Sequence, residues 1–155
     1  MYYTLKHLEY GILNNIKSNL SLKKIKNEII NYKGTDWNQY IDTRNYGNSY
    51  NKVKISFNPN NEYFDMYLIT WLNNKKSNIH DHSTNGCLLY LLEGNLTEYI
   101  YNECLEIVDK QIIPCNAATF IDNKIGYHSI KNNRKISVSL HIYSPKDYET
   151  KYFIQ

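Results

Sequence analysis

Residues 53–61 read VKISFNPNN, and here the chain changes its hydrophobic period. Val53, Ile55 and Phe57 alternate with polar residues, as on a strand with one buried face. Asn58-Pro59-Asn60-Asn61 then forms a strong turn signal. Downstream, short β-rich runs follow at 63–72, 87–92, 96–101, 105–113, 118–121, 128–131 and 136–143. Turn residues separate them, among them Asn73-Asn74, Glu93-Gly94-Asn95 and Asn132-Asn133. Short strands at this spacing predict a barrel or a sandwich. No βαβ alternation, internal repeat or low-complexity linker interrupts the pattern.

Upstream of this point the period is helical. Leu5, Leu8, Ile12, Leu13 and Ile16 recur at helical spacing, and Leu22, Ile25, Ile29 and Ile30 form a second stripe. Ser21 stands where an N-cap belongs, Gly34 follows the second stripe as a helix end would require, and Asp36 opens a further short turn. The expected fold is an all-β core with a small N-terminal helical part. The chain is read as a single domain over 1–155, with a helical cap over about 1–40 and a β-barrel over about 41–145.

At 155 residues, one hydrophobic core is the comfortable solution. The 16 tyrosines, with abundant Asn, Ile and Lys, match the output of AT-rich codons and carry no functional message. Net charge is +3, and the basic residues Lys23, Lys24, Lys26, Lys75 and Lys76 fall on a solvated helix face and a polar turn. Nucleic-acid binding is therefore not expected. Residues 1–9 lack a continuous apolar segment, and no run approaches membrane-spanning length, so neither secretion nor membrane insertion is expected. Cys87, Cys104 and Cys115 are odd in number and unpaired in spacing, which points to reduced thiols in a cytoplasmic setting. A monomer is expected.

Five histidines carry the chemistry to be explained: His7, His80, His82, His128 and His141. His80 and His82 flank Asp81, and on an extended chain they share a face while Asp81 points away. An HxH pair is by itself a common incidental pattern. His128 lies about four strands later, and a closed barrel brings such strands face to face, completing a three-imidazole set. In the last run Ser139, His141 and Tyr143 share one face, with Val138, Leu140 and Ile142 on the other. That polar face is either solvated or a buried hydrogen-bonding chain. Three histidines also serve catalytic zinc, so spacing leaves the metal open.

The stretches Ile79-His80-Asp81-His82-Ser83-Thr84-Asn85-Gly86-Cys87 and Leu92-Glu93-Gly94-Asn95-Leu96 resemble the core motif of the cysteine dioxygenases. Ile125-Gly126-Tyr127-His128 and 138–145, VSLHIYSP, match that family's remaining motifs in order, with Trp71 and Thr43-Arg44-Asn45 upstream. The resemblance spans roughly 36–145. It implies a cupin, or double-stranded β-helix (jelly-roll) barrel, holding Fe(2+) on His80, His82 and His128, with O2 as co-substrate. It further implies that Arg44 binds the substrate carboxylate and Tyr143 the reacting end, with His141 and Ser139 orienting it. Cys87 would be thioether-linked to Tyr143. The implied reaction is oxidation of free L-cysteine, a small-molecule thiol, to its sulfinic acid. Cysteamine or 3-mercaptopropionate oxidation, and a non-catalytic metal-binding cupin, are the alternatives.

Three departures touch substrate recognition. Asp42 stands where those dioxygenases have tyrosine, two residues before Arg44; Tyr40 would replace its hydroxyl if the segment is extended. Residues 48–61 lengthen the path from Arg44 to the 63–72 strand by about ten residues, a cheap insertion thermodynamically. Few residues follow Pro145, which implies loss of a tail that packs near the site.

Overall fold

The computed structural model describes residues 1–154. Two helices open the chain, α1 (Leu5–Lys17) and α2 (Leu22–Ile29), followed by a 3-10 turn at Asp36–Tyr40. Ten strands follow: β1 (Tyr50–Ile55), β2 (Asp65–Leu72), β3 (Ile79–His80), β4 (Cys87–Glu93), β5 (Asn95–Tyr101), β6 (Ile107–Pro114), β7 (Ala118–Ile121), β8 (Tyr127–Asn132), β9 (Ile136–Tyr143) and β10 (Tyr152–Phe153). They form two five-stranded antiparallel sheets, ordered β1-β2-β9-β4-β7 and β10-β3-β8-β5-β6. This is the expected jelly-roll barrel. No helix among the described residues is long and apolar enough to cross a membrane.

The first sheet is buried on both faces. Leu68, Leu88, Tyr90, Val138, Leu140 and Ile142 pack outward against Leu5, Leu8, Ile12, Ile25 and Ile29 of the helices. Each fully buried aliphatic side chain contributes about 1.5–3 kcal/mol. Ile69, Trp71, Leu89 and Leu91 point inward and meet Leu96, Ile113 and Ile130 of the second sheet. The alternation along β9 therefore separates a helix-facing apolar side from a barrel-facing polar side. Solvation of that polar side is ruled out: Ser139 and His141 are buried.

Thr4 caps α1, its hydroxyl accepting from the His7 amide at 3.1 Å. Ser21 occupies the cap position of α2 without a side-chain hydrogen bond, and α2 ends at Ile29, well before Gly34. Gly34 is instead where the backbone of Tyr3 crosses, so close that a Cβ would collide with the Tyr3 carbonyl. The first strand runs Tyr50–Ile55 where alternation suggested 53–57. Glu9 accounts for its early end: buried on α1, it accepts from the amides of Phe57 (2.7 Å) and Asn58 (3.3 Å) and from Asn61 Nδ2 (3.2 Å). The Phe57 and Asn58 amides thereby leave the ladder for a carboxylate.

Glu9 thus ties the helical layer to the β1–β2 turn. Glu9→Ala strands these buried donors and should cost about 3 kcal/mol, read as a lowered denaturant midpoint at unchanged slope. Glu9→Gln, which keeps one carbonyl acceptor, should cost less. An unchanged midpoint for Glu9→Ala would refute the tie.

Candidate metal centre

His80 ends β3 and lies opposite His128 of β8 as a Cα partner. His82 lies beyond the strand, so pleating does not aim it. Asn123 does, accepting from the His82 amide through Oδ1 (2.9 Å) and donating from Nδ2 to the His82 carbonyl (3.1 Å). The three rings converge with one ligand nitrogen each inside a 4.8 Å span, at exposures of 9%, 1% and 2%.

Hydrogen bonds assign the protons. His80 Nδ1 donates to the Asn78 carbonyl at 2.8 Å, and His128 Nδ1 donates to Glu98 Oε2 at 2.7 Å. Both Nε2 atoms are then lone pairs, yet they stand 2.9 Å apart. Neither ring nitrogen of His82 has a hydrogen-bond partner among the described residues. Burial holds the pKa of each of the three below its ordinary value, and the neighbouring histidines push those of His82 and His128 down further. Converging unprotonated nitrogens with no donor between them are a cation site. Imidazole nitrogens that share one ion, each at about 2.0–2.1 Å, must stand close together, so the spacing of this pair is compatible with joint ligation.

Glu98 was not anticipated. It is 1% exposed on β5, and its second oxygen accepts from Gln111 Nε2 at 2.5 Å. Burial raises its pKa, while Gln111 and His80 oppose the rise. A carboxylate on the far nitrogen fixes the tautomer of His128 and makes it a more basic ligand.

A second chain of polar groups lies beside the first. The indole N–H of Trp71 can only donate, and it bonds Ser139 Oγ at 2.9 Å. The Ser139 hydroxyl then donates to His141 Nε2 (2.8 Å), which leaves the His141 proton on Nδ1, facing the Tyr143 oxygen at 3.2 Å. Tyr143 accepts there and keeps its own O–H proton free for the barrel. Burial puts His141 well below and Tyr143 well above their ordinary pKa values, so both are neutral. Cys87, the Cα partner of Tyr143 on β4, is buried; that burial raises its thiol pKa, and its Sγ lies 3.8 Å from His141 Nδ1.

Arg44 does not join this site. Its side chain is 74% exposed and its fork is engaged by Asp42, Nε to Oδ1 at 2.8 Å and Nη2 to Oδ2 at 2.9 Å. The carboxylate two residues away satisfies the guanidinium locally, so nothing draws it inward. Tyr40 ends the 3-10 turn and packs on the helical core, so it supplies no hydroxyl beside Arg44. The cation at the barrel rim is Lys52, unrecognised in the sequence. On β1 it faces Ile69 of β2, and its Nζ lies 4.4 Å from the Tyr67 ring centroid and 5.6 Å from that of Tyr143. Tyr50, Lys52 and Lys54 share one face of β1, opposite Trp71, Ile69 and Tyr67 of β2, with both lysines exposed at the edge of the sheet. Residues after Pro145 do pack near the site: β10 pairs with β3, placing Tyr152 opposite His80.

The histidine pKa values set a pH dependence. With folded values depressed, the unfolded chain binds protons that the native state refuses. Stability present above the unfolded value near 6.5 is lost as pH falls below it, by up to about 1.4 kcal/mol per pH unit for each buried histidine. The metal-free protein should therefore melt at progressively lower temperature from pH 7 to pH 5. His141→Asn should flatten that slope, and an equally steep slope in the variant would contradict the assignment.

Comparison with known proteins places the chain in a family. The family model described as Cysteine dioxygenase type I matches residues 14–154. Cysteine dioxygenase type 1 of Homo sapiens is 31% identical over 119 residues, covering 72% of this chain. The chain spans 58% of that relative's length. Cysteine dioxygenase type 1 of Danio rerio is 25% identical over 137 residues, 81% of this chain and 66% of the relative. Among solved structures, a cupin superfamily protein from Desulfitobacterium hafniense superposes with a TM-score of 0.54 at 11% identity, over 72% of this chain and 90% of its own, a likeness of fold alone. With most of its length matched by the family model, the chain belongs to the cysteine dioxygenase type I family.

Proposed function

We propose that the protein is a non-haem iron thiol dioxygenase that oxidises free L-cysteine with O2 to cysteine sulfinic acid. One observation carries the reading: three buried, unprotonated imidazoles converge without a donor between them, in a chain of this family. His80, His82 and His128 would hold Fe(2+), which, when bound, would coordinate thiolate and O2 together, so that the sulfur gives four electrons to O2 and takes up both of its oxygen atoms. The protein's own groups do the rest. Glu98 keeps the His128 proton on Nδ1. Trp71, Ser139 and His141 hold the Tyr143 hydroxyl with its proton available to an oxygen at the reacting end. The register of Cys87 against Tyr143 supports the thioether link between them.

Lys52 replaces Arg44 as the carboxylate-binding residue in this reading. Its ammonium sits at the rim beside Tyr143, whereas Arg44 is paired with Asp42. A cation there favours thiols with a carboxylate, L-cysteine and 3-mercaptopropionate, over cysteamine.

The test is oxygen uptake by ferrous-loaded protein with L-cysteine, cysteamine and 3-mercaptopropionate side by side, with product mass read in parallel. Uptake matched to a gain of two oxygens on cysteine is expected. Lys52→Ala should raise KM for cysteine at least tenfold, about 1.4 kcal/mol of a charged contact, and leave cysteamine unaffected. Arg44→Ala should leave both parameters within about twofold. Bound iron without turnover of any thiol would reduce the protein to a metal-binding cupin, and a KM sensitive to Arg44 alone would return the carboxylate to that residue.

A further inference from the structure

The histidine set is closed off from solvent, and the closure has an address. The two sheets end side by side at β1 and β10, which share no ladder. Across that gap the hydroxyls of Tyr50 and Tyr152 approach to 3.4 Å. The Tyr152 ring lies 5.8 Å from the ring of His80, the most exposed of the three histidines at 9%. Outside the tyrosine pair is a cavity of about 590 Å³, lined by Gly47, Ser49, Tyr50, Asn78 and Tyr152 among others. Asn78 is the residue whose carbonyl holds His80. Tyr152, half-exposed, thus both lines the cavity and borders the His80 ring.

Asp81 keeps Tyr152 in this position. Pointing away from the site between the two histidines, its carboxylate accepts from the Lys151 amide (2.8 Å) and the Tyr148 hydroxyl (2.6 Å), while its own amide donates to the Lys151 carbonyl (3.0 Å). Phe153 stacks on Tyr127 with ring centroids 4.5 Å apart. The segment is otherwise a two-residue strand, the kind of element that opens locally at low cost.

We infer that Tyr152 is a specificity-determining gate: hooked to the barrel by Asp81, it meets Tyr50 across the mouth and admits only thiols of about amino-acid size. The inference rests on the thiol-oxidising reading for its substrate, and on geometry alone for the gate. A cysteine at the N-terminus of a peptide is excluded because the ring of Tyr152 occupies the path its chain would follow. The 3.4 Å hydroxyl contact is weak, so the bulk of the ring does the sealing.

Two measurements test it. In metal-free protein, carbethoxylation by diethyl pyrocarbonate is mapped by peptide mass, with exposed His7 as reference. Tyr152→Ala should speed modification of His80 at least tenfold relative to His7, with His141 unchanged. Tyr148→Phe, which releases one hook, should give a smaller rise in the same direction. An unaltered His80 to His7 ratio in both variants overturns the gate, as does a parallel rise at His141, which would mean general loosening. In ferrous-loaded protein, Tyr152→Ala should raise the ratio of kcat/KM for Cys-Gly over L-cysteine at least tenfold; an unchanged ratio with iron retained overturns the size limit. If the unaltered protein oxidises no thiol, the proposed reaction fails, and His80 reactivity still decides the gate.

Discussion

The barrel is organised around a strand with nowhere to place a polar group in water. β9 runs through the middle of the first sheet, with helices on one side and the barrel interior on the other. Val138, Leu140 and Ile142 solve the helix side by burial. Ser139, His141 and Tyr143 must solve the other side by bonding one another, because a buried hydroxyl or imidazole without a partner costs about 1–3 kcal/mol. Trp71 begins the chain as an obligate donor, and that single direction sets every proton after it. The orientation of the Tyr143 hydroxyl is therefore dictated from a neighbouring strand, three side chains away.

The imidazole set follows the opposite logic. Its members do not satisfy each other; their lone pairs face inward, and their remaining contacts are made outward to Asn78, Glu98 and the backbone-bound Asn123. Burial keeps them unprotonated, so the obvious way to relieve converging lone pairs, a shared proton, is disfavoured. One cluster is complete in itself and rigid; the other is complete only around a cation. Together they give the interior one self-satisfied polar wall and one set of nitrogens whose chemistry calls for a cation.

Much of this was legible in the sequence, for reasons that also explain what was not. Period-two alternation survives in β9, where one face meets the apolar helices and the other a polar interior, and it announced the Ser139–His141–Tyr143 face directly. The same alternation places Tyr50, Lys52 and Lys54 on one face, but a lysine in a strand is ordinarily a solvated residue and carries no functional signal. Nothing in a motif says that Asp42 will take the guanidinium fork. The end of β1 is not legible locally, because it is decided by Glu9, 48 residues from Phe57 in the chain. Glu98 carried a signal: Leu96, Glu98 and Ile100 share a face, and an acid between two core residues demands a partner. β10 carried none, since two residues acquire strand character only from Asp81 and β3.

His80 and His128 are 48 positions apart and become neighbours only through β3 and β8. Their sheet, like the pairing of 65–72 with 136–143, is built from contacts between distant parts of the chain. Such topologies fold in milliseconds to seconds, because loop closure precedes any reward from pairing. A metal ion has no site to bind until that search is finished. Its affinity is then drawn entirely onto the native side of the equilibrium, where a concentration one hundred times the dissociation constant adds about 2.7 kcal/mol. Metal supply, in this architecture, leaves the speed of folding untouched and acts on how long the folded state lasts.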